Sequence, residues 1–328
     1  MTNTVYVTRK LPEEAVAELR ASCKVRMWDK EEDVVPREVL EKEIATADGL
    51  LSMLTDPIDE DLLKSAQNLK AISQMAVGHN NIDIEAASAR QIAVLTTPGV
   101  LTETTADLTF ALLMAVARRI PEAERFLKKG DWTTWSPMLL TGADVYGATL
   151  GIIGLGRIGE AVAKRAKGFS MDVVYHSRSR KPEKEARLGL RYGSMDDVLA
   201  QSDYLVLMIP YSKETHHLID ADAIKKMKPS CFLINTARGD IVDEKALYDA
   251  LVSGDLAGAG LDVFAQEPVP TSHPLLTLDN VVALPHIGSA SVTTRRKMAT
   301  MAAKQLVQTL HGERPPTLIN AQALDEPC

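Results

Sequence analysis

The chain has 328 residues, a length that suits about two domains at roughly 100–200 residues each. Hydrophobic residues make up 45% and charged residues 25%, a globular balance that excludes a largely disordered chain. A net charge of −7 offers no basic surplus for nucleic-acid phosphates, and three scattered cysteines (Cys23, Cys231, Cys328) exclude a disulfide-stapled secreted domain and a CxxC metal knuckle.

The amino terminus, MTNTVYVTRK, holds a short apolar strand and not the core of a signal peptide. No apolar run approaches the roughly 20 residues that span a bilayer, so the expectation is a cytoplasmic protein with no membrane partner. TVYVT (4–8) reads as a strand and residues 12–20 as a helix opened by Pro12. Strands follow at KVRMW, 49–54, 69–76 and 92–97, with helical stretches at 37–47, 59–66 and 83–90 between them. Five strands with helical crossovers predict a parallel sheet covered on both faces. Thr97-Pro98-Gly99 breaks the pattern, and a long helical segment runs over about 102–129. GDWTTWSPMLLTG reads as a loop. A second alternating series then places strands at 149–154, 172–177, 204–210, 231–236, 258–263 and 281–286, six strands that fit the two halves of a Rossmann sheet. A final helix covers about 291–311.

Gly154-Leu155-Gly156-Arg157-Ile158-Gly159 reads G-x-G-x-x-G. Alone, such a match reads equally as a tight turn before a helix. Here it follows an apolar strand, opens the helical stretch RIGEAVAKRAKGF and precedes another strand. In that setting Gly154 allows the turn, Gly156 allows a pyrophosphate to approach the backbone, and Gly159 allows close helix packing. The N–H groups of Arg157 and Ile158 then face the anion. The acidic residue that binds the ribose 2′-OH in NAD sites is replaced by Ser177, within His176-Ser177-Arg178-Ser179-Arg180-Lys181. A carboxylate about 4 Å from a 2′-phosphate costs on the order of 1–4 kcal/mol. Serine removes that repulsion, and Arg178 and Arg180 can pair with the phosphate. The expectation is an NADPH preference with NADH possible; the alternative is a solvated basic turn. His176 reads as a structural strand-end residue.

Three residues close after later strands could do chemistry: Arg238 after CFLINTA, Glu267 after GLDVFAQ and His286 after VVALP. Hydride transfer to a 2-keto acid needs a carboxylate anchor, which a planar guanidinium supplies, and a donor to the carbonyl oxygen, which a histidinium supplies. A neighbouring carboxylate favours the protonated donor. Each has a plainer alternative: an Arg238–Asp240 ion pair, a loop charge at Glu267, and a cap on Ile287-Gly288-Ser289 at His286. No His/Cys/carboxylate group has metal-ligand spacing, so no metal site is expected.

The segments VGHNNID (77–83), GLGRIG, NTARGD (235–240), GLDV (260–263), Glu267-Pro268 and PHIGSA (285–290) together resemble the D-2-hydroxyacid dehydrogenase family, in its order and over nearly the whole chain. GDWTTW (130–135) and SHPLLTL (272–278) are similar to its glyoxylate/hydroxypyruvate reductase branch. The resemblance implies two Rossmann-like/flavodoxin-like doubly wound parallel-sheet domains with a cleft between them: a discontinuous substrate domain of 1–101 and 290–328, and a dinucleotide domain of 102–289. It implies Arg238 on the substrate carboxylate, His286 as acid/base with Glu267 as its partner, and Pro210, Thr215, Thr236, Asp262 and Gly288, with Arg238 and His286, beside the cofactor. Leu54, Val77, Gly78 and Ser289 become candidate substrate contacts; Leu54 reads equally as a packed loop residue and Ser289 as a cap of the following helix. A homodimer is implied, with Trp135 reaching the partner's site or else packing in an interface or core. Rival activities are a D-lactate-type or other dehydrogenase of the family and, in a different class, a nucleotide-sensing corepressor-like binding protein. The short stretch after residue 311 speaks against relatives with extra C-terminal segments.

Overall fold

The computed structural model describes residues 2–321; Cys328 and the rest of 322–328 lie outside them. The described residues fall into two compact units, 2–101 with 290–321, and 102–289.

The first unit is built on a five-stranded parallel sheet: β1 (Thr4–Val7), β2 (Lys24–Met27), β3 (Gly49–Ser52), β4 (Ala71–Gln74) and β5 (Ala93–Leu95), in the order β2-β1-β3-β4-β5. That order is the flavodoxin-like one. Every residue of β3, β4 and β5 is buried, as strands covered on both faces require. Helices Arg37–Ile44 and Glu60–Ser65 put Leu40, Ile44, Leu62 and Leu63 against Tyr6, Leu50 and Ile72 on one face. Helix Val292–Leu310 docks by buried polar bonds as well as apolar contact: Ser73 Oγ donates to the Ala302 carbonyl at 2.8 Å, and Gln305 Nε2 donates to Ser73 Oγ at 2.9 Å and the Thr96 carbonyl at 3.1 Å. Met53 and Leu54, expected in a strand, lie in the turn after β3, because the Asp56 carboxylate accepts the Met53 N–H at 2.7 Å and turns the chain.

The second unit holds seven parallel strands: β6 (Thr149–Ile153), β7 (Asp172–His176), β8 (Arg191–Tyr192), β9 (Tyr204–Leu207), β10 (Phe232–Asn235), β11 (Gly258–Leu261) and β12 (Val281–Ala283). Their order, β12-β11-β10-β9-β6-β7-β8, is a Rossmann sheet extended by one strand, β12. The sequence pattern showed six strands and missed β8, a two-residue exposed edge strand with no apolar run to betray it. The long helix expected over 102–129 is two helices, Thr102–Ala117 and Ile120–Lys128. Pro121 lacks the N–H that a continuous helix needs and disfavours a helical residue before it. The chain reverses through Arg119 in the left-handed region (φ 52°), and the Ala117 carbonyl accepts from the Ala143 N–H instead.

Candidate active site

The glycine turn joins the end of β6 to helix Arg157–Lys167. Gly154 has φ +100°, and a Cβ there would stand 2.5 Å from the Met208 carbonyl oxygen. A Cβ on Gly159 would stand 2.2 Å from the Gly154 carbonyl oxygen, so helix and turn can close only over glycine. A Cβ on Gly156 would meet nothing within 4 Å. That open side, beside first-turn N–H groups without partners in the helix, fits a bound pyrophosphate. The residues present therefore fit a dinucleotide.

After β7 the turn expected to carry a 2′-phosphate is braced internally. Ser177 Oγ donates to the Ser179 carbonyl at 2.8 Å. Arg178 is exposed. Arg180 is engaged, its Nε and Nη2 donating to Glu185 at 3.0 and 2.8 Å, so a phosphate would share that guanidinium with a carboxylate. His176 Nδ1 lies 3.0 Å from the Gly193 carbonyl, which is a structural contact. Behind the turn, Lys184 and after it Lys164 hold the Glu160 carboxyl down to about 2 against the effect of burial.

At the carboxyl ends of β10, β11 and β12 the structure brings Arg238, Glu267 and His286 together. His286 Nδ1 and Glu267 Oε2 lie 2.7 Å apart. Glu267 Oε1 accepts the Phe264 N–H at 3.0 Å. Burial alone would raise the Glu267 carboxyl, but His286, the Phe264 N–H and the Arg238 charge together hold it below the ordinary range. Arg238 is close enough to feel Glu267, and burial lowers its guanidinium from the ordinary value. Its Nη1 donates to the Ala237 carbonyl at 2.5 Å, and its own carbonyl is held by Asn235 Nδ2 at 2.8 Å. Gly239 is what allows this proximity: a Cβ there would lie 1.9 Å from the Phe264 carbonyl carbon.

His286 itself sits in the left-handed region (φ 52°), an unfavourable conformation for a side-chain-bearing residue. Asp262 supports it. Its carbonyl accepts the His286 N–H at 2.9 Å, and its carboxylate oxygens accept the Ile287 and Gly288 N–H groups at 2.8 and 2.7 Å. Burial pushes the Asp262 carboxyl up despite those bonds. Sequence reasoning put Asp262 and Gly288 beside the cofactor; what the structure shows is that they brace the His286 turn. Thr236 is buried, with its hydroxyl 2.7 Å from that of Thr109. The Thr215 hydroxyl accepts the Ser212 N–H at 2.7 Å and donates to the Pro210 carbonyl at 3.1 Å, folding the loop after β9.

The remaining candidates are placed as follows. Leu54 is half-buried, and Val77 is 38% exposed beside Gly78, whose carbonyl accepts from Gln74 at 2.6 Å. Two residues after Leu54, Asp56 is fully buried and forms an ion pair with Arg9, 3.6 Å away, which sequence patterning did not single out. Ser289 is not the cap of the last helix: Ser291 is, accepting the Thr294 N–H. Trp135 is 74% exposed, which rules out core packing within the chain. A cavity of about 440 Å³ lies at the other ends of β10 and β12, lined by Arg119, Phe232 and Val281, and contains none of the candidate residues. Among the described residues no group of three or more His, Cys, Asp or Glu could hold a metal, and no helix is long and apolar enough to cross a membrane.

Comparison with known proteins identifies the family. The D-isomer specific 2-hydroxyacid dehydrogenase NAD-binding domain matches residues 110–288. A glyoxylate reductase of Korarchaeum cryptofilum is 47% identical over 98% of this chain and 96% of its own. The crystal structure of a Thermus thermophilus protein superimposes with a TM-score of 0.90 at 45% identity, covering 96% of this chain and 99% of that one. The NADPH-dependent glyoxylate/hydroxypyruvate reductase of Sinorhizobium meliloti, solved with NADP and malonate, gives 0.86 at 31% identity over 100% of this chain and 99% of its own. With the glycine turn, the parallel sheet and the Arg238–Glu267–His286 cluster in place, these matches show that the chain belongs to the D-isomer-specific 2-hydroxyacid dehydrogenases, a family of oxidoreductases.

Proposed function

We propose that this chain is an NADPH-preferring reductase of small 2-keto acids, converting glyoxylate to glycolate and hydroxypyruvate to D-glycerate. The observation that carries the reading is the 2.7 Å His286–Glu267 contact beside Arg238, on the same sheet as the glycine turn. Unit 102–289 is the dinucleotide domain in this reading, and the other unit the substrate domain. A reduced nicotinamide, when bound, supplies a hydride for the carbonyl carbon. Arg238 anchors the substrate carboxylate through its planar guanidinium. His286 donates its proton to the carbonyl oxygen as negative charge develops there. Glu267, held ionised, balances the histidinium and fixes the ring through Nδ1, which leaves Nε2 for the substrate. Leu54, Val77, Gly78 and Ser289 are assigned to the substrate as well. Ser177, in place of a carboxylate, together with Arg178 and Arg180 underlies the NADPH preference. The exposed Trp132, Trp135 and Met138 are assigned to a homodimer interface, with Trp135 reaching the partner's site.

The test is nicotinamide oxidation with glyoxylate, hydroxypyruvate, pyruvate and 2-ketoisocaproate, each with NADPH and NADH. Faster turnover of the first two with NADPH supports the reading. Turnover favouring NADH removes the cofactor preference, and faster turnover of pyruvate removes the substrate assignment. As a control, His286→Ala should lose turnover and keep NADPH affinity.

A further inference from the structure

Glu267 rides on a loop that has little to hold it. Residues 265–272 contain no helix or strand, and all but Val269 are exposed as whole residues, although the Glu267 side chain itself is half-buried. Glu267 nevertheless has to meet His286 at hydrogen-bond distance. One carboxylate outside the catalytic cluster touches both ends of the loop. Glu244 opens helix Glu244–Ser253, whose cap is the neighbouring Asp243, accepting the Lys245 and Ala246 N–H groups at 3.0 and 3.1 Å. The Glu244 side chain is therefore not needed for capping, and it turns toward the loop. Its Oε1 accepts the Ala265 N–H at 2.9 Å, and its Oε2 lies 3.2 Å from His273 Nε2. Residues 265 and 273 are the two ends of the exposed stretch, so a single carboxylate pinches the loop shut.

His273 suits this task. Its Nδ1 is buried with no hydrogen-bond partner, so the Glu244 carboxylate, 3.2 Å from Nε2, is the ring's one charged contact among the described residues. Nε2, which can carry a proton, faces that carboxylate. The Phe264 ring meets the imidazole edge-on, with centroids 6.0 Å apart. Phe264 is also the residue whose N–H holds Glu267 Oε1. Just beyond His273, Leu275 is fully buried and ties the far end to the core.

We infer that Glu244 and His273 are positioning residues, a clamp that holds the Glu267 loop so that Glu267 meets His286. The inference rests on the reductase reading for its kinetic consequences. A clamp that slackens lets Glu267 drift, and displacements on the order of 1 Å cost up to about 100-fold in rate.

The experiment compares His273→Phe, which keeps the ring and its contact with Phe264 but has no donor, with His273→Gln, whose amide can stand where Nε2 stands. His273→Phe should lower kcat about 10-fold, with the NADPH Kd and the substrate KM within about twofold of the parent. His273→Gln should recover most of the loss. In a Glu267→Gln background, His273→Phe should cost nothing further, because the residue being positioned is gone. An unchanged kcat in His273→Phe, or the same 10-fold loss in the Glu267→Gln background, overturns the inference. A second readout needs no turnover: the Glu267 carboxyl, followed by NMR of carboxyl-labelled protein, should titrate at higher pH in His273→Phe as it loses His286. Identical titrations overturn the clamp. A parent enzyme inactive on every keto acid, with a shifted titration, overturns the reductase reading and leaves the clamp standing.

Discussion

Gly239→Ala tests how much of this site depends on backbone proximity. The new Cβ would lie 1.9 Å from the Phe264 carbonyl carbon and 2.2 Å from the Ala265 nitrogen, about 1.5 Å short of the 3.4 Å at which ordinary contact begins. Both obstacles are backbone, so no side-chain rotation relieves them. Either the strand-end segment carrying Arg238 or the loop carrying Glu267 has to retreat. A retreat of that size stretches the 2.7 Å His286–Glu267 contact beyond hydrogen-bond range. The expected cost is about 100-fold in kcat/KM, or roughly 2.7 kcal/mol of transition-state stabilisation, and about 1–3 kcal/mol of stability from overpacking. Steady-state kinetics on the best keto acid, a fluorescence titration of NADPH binding and urea unfolding read these separately. NADPH affinity should hold within a few-fold, since the glycine turn lies on β6. A variant with parental kcat/KM and stability would refute the reasoning from this contact to the chemistry.

Ser177→Asp should weaken NADPH binding by about 1–4 kcal/mol through charge repulsion and leave NADH binding nearly unchanged, as read by nicotinamide fluorescence. Because His286, the Phe264 N–H and Arg238 hold the Glu267 carboxyl low against burial, the folded state favours its ionised form. Its contribution to stability and activity is present above the ordinary glutamate value of 4.5 and is lost as pH falls through the lower folded value. The Glu267 limb of the pH–rate profile should therefore lie below 4.5, and Glu267→Gln should lower kcat by about 100-fold or more at neutral pH. Arg9→Leu leaves the fully buried Asp56 charge without its partner, and urea unfolding at neutral pH should show a loss of about 3–5 kcal/mol. Burial already raises the Asp56 carboxyl, so protonation relieves the mismatch, and that loss should shrink as pH falls below the raised value.

The strands were legible because a strand buried on both faces must be an apolar run, and VYV, GLL, AIS, GII, YLVL and FLIN are such runs. β8 was not legible because Arg191–Tyr192 buries too little to impose a pattern, and the break at Arg119 was missed because helical periodicity resumes after Pro121. The glycine turn was readable since Gly154 and Gly159 are demanded by local backbone geometry, a property that G-x-G-x-x-G carries on its face.

The cluster was only half readable. Arg238, Glu267 and His286 stand out in sequence as chemistry-bearing residues closing strands, but nothing local brings together residues 29 and 19 positions apart. Their meeting depends on the parallel register of β10, β11 and β12, which is a tertiary property. The supports are further from view. Asp262 braces the His286 turn, Glu244 pinches a loop that begins 21 residues later, and Arg9 reaches Asp56 across 47 positions, all through contacts between segments with no local period linking them. By itself the sequence determined the elements and the types of chemical group available, since those follow from hydropathy and local conformation. Which groups face one another, and what holds them there, was decided only by the packing of the folded chain.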